Sequence, residues 1–253
     1  MRQVLVGFVV VVAMSLTLGA AAQAADRIVV TTLDWPPYTG DALPKEGATT
    51  EVVRQVFEAA GIDVEVEILP WKRAIAMAKN DDVAVAYFPG YHCRHVEGFV
   101  ASDPIGTGPL GLAEHVDNPV TWSSIDDLGE QKLKIGTVLG YANTDEFDEK
   151  AGTGWIQAIA AKDDLTNLKK LLRQRIDAAV IDKLVLSYLL ATEPALKGKA
   201  DTIKFDEKPL DVKTLYLCFV NDEQGMTLRD TFNQALKTAD IEAILNAYFE
   251  NEF

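Results

Sequence analysis

The chain has 253 residues, with 24 Lys and Arg against 38 Asp and Glu, a formal net charge of −14. That balance argues against a nucleic-acid partner, whose phosphates it would repel, and against attraction to an anionic lipid surface. The length suits two modest lobes or one large domain.

The first 24 residues read as an export signal rather than as part of the fold. Arg2 supplies a minimal positive start, positions 4–18 an apolar run, and Ala22-Gln23-Ala24 a small-residue cleavage site. The run is short for a membrane span, and no cysteine stands at the cleavage point to carry a lipid. Cleavage removes Arg2 and no acid, leaving 23 basic against 38 acidic residues. The expected mature chain, about 229 residues long, is soluble and periplasmic.

Taken in order, positions 28–33 form a first strand, stopped by the two prolines of Asp34-Trp35-Pro36-Pro37-Tyr38. Trp35 and Tyr38 then stand at a strand's carboxyl end, either facing a ligand or lidding the local core. After a loop over 40–47, Val52, Val53, Val56, Phe57 and Ala60 share one helical face, and Gly61 is a good stop. Val64, Val66 and Ile68 alternate with Glu65 and Glu67, a strand with one wet face. Pro70-Trp71-Lys72-Arg73 opens a short helix to about Lys79, and positions 83–88 form the next strand. This alternation is a parallel, doubly wound pattern.

Tyr91-His92-Cys93-Arg94-His95 contains metal-binding residue types, but five consecutive residues do not readily close a tetrahedral shell, and a polar loop is the simpler reading. No metal or other cofactor is expected. Cys93 and Cys218 are the two cysteines. Export permits a disulfide, but their separation leaves open a bridge or two buried thiols.

Ser102-Asp103-Pro104-Ile105 and the glycines 106, 108 and 111 read as a strand crossing between lobes. From Trp122 a second unit begins: a strand over 134–138 ending in Leu139-Gly140-Tyr141, a helix over 143–150, and a strand over 155–160. Then Leu168, Leu171 and Leu172 mark a helix face, and positions 176–181 form an apolar strand ending on Asp182. In open α/β sheets ligands bind beyond the carboxyl ends of strands, so Asp182 is placed either to face a ligand or to cap the helix starting near Leu184. A strand over 215–220 and two closing helices follow, returning to the first lobe. The predicted fold is α/β, two doubly wound lobes joined by a two-strand hinge. The expected boundaries are 25–112 for the first part of lobe 1, 113–209 for lobe 2 and 210–253 for the return segment, after the signal over 1–24. No Gly-x-Ser-x-Gly and no cysteine–histidine pair suggests catalysis.

Several short blocks recur in one order: Trp35-Pro36-Pro37-Tyr38, Asp82 twelve residues before Arg94, Ser102-Asp103-Pro104-Ile105, Ile125-Asp126-Asp127-Leu128, Gly136 with Gly140, and 175–182 as Arg-Ile-Asp-Ala-Ala-Val-Ile-Asp. In this set the chain resembles the periplasmic solute-binding proteins of polar amino acid ABC importers, extracellular solute-binding family 3. The resemblance implies a periplasmic binding protein-like fold of type II. It also implies an aromatic stacking on the ligand, matched by Trp35, and an arginine gripping an α-carboxylate, matched by Arg94. Asp182 matches the acid that takes the α-ammonium. The chain departs from the pattern at Tyr87 and Pro89, where small hydroxyl residues are usual, and at Tyr141 and Ala142 after Gly140. Arg94 lies one residue further from Ser102 than usual, so His95 competes for its structural slot. Trp71 and Arg73 are expected to reach the cleft, with Arg73 assisting or replacing Arg94.

The expected ligand site is therefore Trp35, Tyr38, Trp71, Arg73, Tyr87, Arg94, Gly140, Tyr141 and Asp182. The expected function is binding of a small polar solute, an amino acid or small carboxylate, for delivery to the membrane permease of an ABC importer, by a monomer and without catalysis. The alternatives are a dehydratase of small carboxylic acids, with Asp182 or Glu51 as general acid, and a partner-facing sensor or accessory module.

Overall fold

A computed structural model describes residues 26–80 and 83–252. The export signal expected over 1–24 and Asp82 lie outside the described residues, as does the side chain of His95. In the first lobe, β1 (Asp26–Thr32) runs parallel between β2 (Ile62–Ile68) and β3 (Ala84–Gly90). The crossovers are α1 (Ala48–Ala59) and α2 (Trp71–Asn80). As a central strand β1 is covered on both faces, and even its threonines are buried. Their hydroxyls are satisfied by donating to carbonyls, Thr31 to Ala74 at 2.8 Å and Thr32 to Phe88 at 2.6 Å. Helix α1 buries Val52, Val53, Val56 and Phe57, the stripe its sequence spacing describes.

The second lobe repeats this plan. β6 (Lys134–Val138) runs parallel between β7 (Gln157–Ala161) and β8 (Ala178–Asp182). Its helices are α3 (Ile125–Glu130), α4 (Asp145–Gly152), α5 (Asp164–Leu171) and α6 (Lys183–Thr192). Two long strands connect the lobes. β5 (Gly106–His115) lies antiparallel on β8, and β10 (Asp211–Val220) lies antiparallel on β3. Between them, positions 106–110 pair with 211–215. The full order is β2-β1-β3-β10-β5-β8-β6-β7, with β4 (Phe99–Ala101) on β10 and β9 (Ile203–Phe205) on β5. The closing helices α7 (Glu223–Leu236) and α8 (Ile241–Glu252) pack on α1, so the tail returns to the first lobe.

The structure sharpens several sequence expectations. Helix α5 starts before its leucine face, because Asp163 caps it by accepting from the Thr166 amide at 2.7 Å. β7 starts at Gln157 rather than Trp155, whose half-exposed indole instead lies over Gly129. Cys93 and Cys218 form a disulfide with a Cα–Cα separation of 5.3 Å, which resolves the two readings left open. Cys93 begins a one-turn helix after β3, and the bridge ties that turn to β10. Among the described residues no helix is long and apolar enough to cross a membrane.

Candidate functional site

A cavity of about 330 Å³ opens between the lobes, at the small end of the range of about 300–1,000 Å³ for small-molecule sites. The carboxyl ends of parallel strands surround it, because each βα turn of a doubly wound sheet projects there. From the first lobe come Leu33 and Trp35 after β1, Trp71 and Ile75 of α2, and Tyr87, Pro89, Gly90, Tyr91 and His92 from the carboxyl half of β3 and the turn after it. From the second come Gly140, Tyr141 and Ala142 after β6, and Asp148 of α4. Gly140 has φ +85°, a left-handed turn that glycine adopts at least cost, and this turn swings Tyr141 back toward the first lobe. Asp148 is held in place by accepting from the Asn143 amide at 2.8 Å and its side-chain nitrogen at 2.6 Å.

Aromatic rings dominate the walls. Trp71 meets Tyr87 edge-to-face at 5.3 Å and 80°, and Trp35 meets Tyr91 at 6.0 Å and 74°. Burial pushes the Tyr87 phenol up to about 12, and it also raises Tyr91 and Tyr141 well above the ordinary phenol range, with nearby carboxylates adding to both. All three phenols are therefore neutral hydrogen-bonding groups at physiological pH.

Beside the cavity the two lobes grip each other through buried acids. Asp182 caps α6, accepting at Oδ1 from the Leu184 and Val185 amides at 2.8 and 3.2 Å. The same oxygen accepts from the Tyr38 hydroxyl at 3.1 Å, across the lobes. Both readings of Asp182 thus contain part of the answer: it is a helix cap, and it faces the first lobe, but it meets Tyr38 rather than the cavity. Its Oδ2 is buried without a hydrogen-bond partner. Burial pushes this carboxyl up to about 6, opposed by the cap hydrogen bonds. Tyr38 stacks on Trp35 with ring centroids 4.5 Å apart, and Trp35 in turn reaches Asp164 of α5. Burial, then the Asp163 and Asp182 charges, push the Asp164 carboxyl up to about 7.

Of the nine expected site residues, Trp35, Trp71, Tyr87, Gly140 and Tyr141 line the cavity. Tyr38 and Asp182 lie behind its wall in the interlobe contact. The two arginines are placed elsewhere. Arg94 sits on the turn fixed by the disulfide, and its side chain, 72% exposed, spans the outer rim to Asp145 of α4 at 3.6 Å. Arg73 is exposed on α2 and outside the lining, two residues past Trp71, where the helical turn carries it to another face. Sequence reasoning did not single out Tyr91, Asp148 or Asp164 for the cleft. Only Asp164 had a usable signal, the Asp-Asp pair ahead of a helix face.

No family model matches the chain, and no curated protein sequence matches it. Solved structures do. An ancestral arginine-binding protein bound to arginine is similar with a TM-score of 0.71 at 16% identity, over 91% of this chain and 100% of that one. An amino acid ABC transporter substrate-binding protein from Streptococcus pneumoniae bound to L-arginine gives 0.68 at 14%, over 89% and 94%. An ancestral amino acid-binding protein described as a precursor of cyclohexadienyl dehydratase gives 0.66 at 17%, over 90% and 95%. Likeness at such identities establishes architecture, and the chain has the two-lobed fold of the type II periplasmic binding proteins.

Proposed function

We propose that this protein binds a small polar solute, an amino acid or small carboxylate, in the interlobe cleft and delivers it to the permease of an ABC importer in the periplasm. The observation that carries the reading is the cavity itself, walled from both lobes at the carboxyl ends of their strands, in a fold whose lobes are joined by two paired strands. Such an arrangement encloses a solute when the lobes close and releases it when they part. The bound amino acids named for similar structures support the same class of ligand.

An enzymatic role is the weaker reading. Asp182 has the raised pKa a general acid needs, but its carboxylate is engaged by a helix cap and Tyr38 outside the cavity lining. Glu51 pairs with Lys45 at 2.9 Å and is also outside the lining. The test is a thermal-shift screen of the ligand-stripped mature protein against amino acids and small carboxylates, followed by a turnover assay on each hit. A solute at 100 times its dissociation constant adds about 2.7 kcal/mol of stability. A saturable shift without turnover is expected. Turnover of a hit favours the enzyme, and a flat screen favours a partner-facing module.

A further inference from the structure

We propose that the group recognised inside this cleft is an organic cation of the ammonium class, not a carboxylate. The inference rests on the cleft being a solute site, and it concerns which chemistry that site selects. Trp35, Trp71, Tyr87, Tyr91 and Tyr141 all contribute to the cavity wall, Trp71, Tyr91 and Tyr141 with partly open rings and Trp35 and Tyr87 as nearly buried rings behind them. The near-perpendicular pairs, Trp71 with Tyr87 and Trp35 with Tyr91, set adjacent walls at right angles, as the corners of a box. Ring faces carry negative quadrupole density, so such a box attracts a desolvated cation.

The charges around the box have the same sense. Among the lining residues Asp148 is the one carboxylate and His92 the one basic side chain, and there is no lysine or arginine. Behind the wall, the Asp182 and Asp164 carboxylates bear on Tyr91, and Asp164, Asp163 and Asp34 bear on Tyr141. Of the neighbouring basic groups, His92 is in the lining and the Lys72 stem lies against Gly140 at its edge. Arg94 faces Asp145, Lys72 and Arg73 are exposed, and Lys213 pairs with Asp211 at 2.9 Å. Lys213 also stands 5.8 Å from the Tyr91 ring centroid, so a cation already lies near one ring of the wall. A carboxylate entering this cavity would lose its water and meet no lysine or arginine in the lining, which is costly. An ammonium group would meet aromatic rings and Asp148.

The test is isothermal titration calorimetry on the ligand-stripped mature protein. The probes are choline, its neutral isostere 3,3-dimethylbutan-1-ol, succinate and a set of α-amino acids. Choline is expected to bind about tenfold or more tighter than the isostere, the ratio that a moderately desolvated cation–π contact produces. Trp71→Leu should cut choline affinity by about tenfold and leave the weak affinity for the isostere unchanged. Equal affinity for choline and the isostere would mean that the cavity reads shape, and would overturn the inference. Binding of succinate without choline would overturn it too, while leaving the solute-binding reading intact. Silence from every probe, amino acids included, would overturn both.

Discussion

Gly108 is where the smallest change bears on the contact between the lobes. It lies on the hinge strand β5, and a methyl group there would collide with Asp182 Oδ2 and fall 2.7 Å from the Tyr38 hydroxyl. The strand is held on both sides by β10 and β8, so it cannot back away. Gly108→Ala should therefore displace Asp182 from Tyr38 and lower stability by about 1–3 kcal/mol, the usual cost of overpacking. Urea unfolding measures this, with Gly152→Ala as a control, because a methyl there meets nothing within 4 Å. Equal stability of the two variants would mean that the Tyr38–Asp182 contact contributes nothing. The positions that reach the cavity were legible where chain geometry alone sets direction. Trp35 follows a strand, whereas Tyr87 and Tyr141 were marked by the resemblance, as departures from the family's pattern. The arginines were not legible, because whether a long side chain on a helix or turn points inward depends on its neighbours. The disulfide and Asp145 direct Arg94 outward. Tyr91 and Asp148 share one cavity wall only because the lobes face each other, which no local spacing encodes.

The disulfide is the element-scale feature that organises one side of the cleft. It joins the turn after β3 to β10, so it anchors the segment carrying Tyr91 and His92 to a hinge strand. Both sulfur-bearing residues are buried beside Tyr87 and Phe99, which meet edge-to-face at 4.8 Å. The bridge closes a loop across a sequence separation of 125 residues, so it restricts the unfolded chain over half its length. Replacing both cysteines by serine should cost about 2–4 kcal/mol in chemical unfolding. It should also weaken solute binding, because the turn bearing the cavity wall loses its tether. Loss of stability with unchanged affinity would confine the bridge to a purely structural role. The architecture was legible at this scale because strand and helix periods alternate cleanly through both lobes. The misses have local causes. Trp155 looks like a strand residue by type, but its apolar partner is Gly129 on a helix rather than a neighbouring strand. Helix α5 begins at a polar cap, so its apolar stripe marks its middle and end rather than its start.

At the scale of the whole molecule, two buried carboxyls at the contact between the lobes predict a stability that depends on pH. Interlobe contacts place Asp182 under Tyr38 and Asp164 under Trp35, and both carboxyls are held in the folded molecule above the ordinary value near 4. The groups facing them are the Asp163 carboxylate, the Tyr38 hydroxyl, the Trp35 indole and the amides that begin α6, with no cation among these. A folded-state pKa above the unfolded one means that the native molecule holds more protons. The resulting stabilisation is complete below about pH 4 and is lost as pH rises through about 6 for Asp182 and about 7 for Asp164. Asp127 acts in the opposite sense, because hydrogen bonds from Ser123 and Ser124 hold its carboxyl low, but it changes state only under acid conditions. Between pH 5 and pH 8 the buried pair therefore sets the slope. Melting temperature should fall across that interval, by an amount corresponding to a few kcal/mol, on the order of 3. Asp164→Asn should flatten the slope by removing the group titrating nearest neutrality, and Asp182→Asn should flatten its acid side. If the mechanism is closure rather than global folding, small-angle scattering of the unliganded protein will show a larger radius of gyration at pH 8 than at pH 5. An unchanged radius with a falling melting temperature would place the titration in the stability of the fold and not in the hinge. A melting temperature that rises from pH 5 to pH 8 would show that the two carboxyls are ionised in the closed molecule, held by water or a cation at the orphaned Asp182 oxygen.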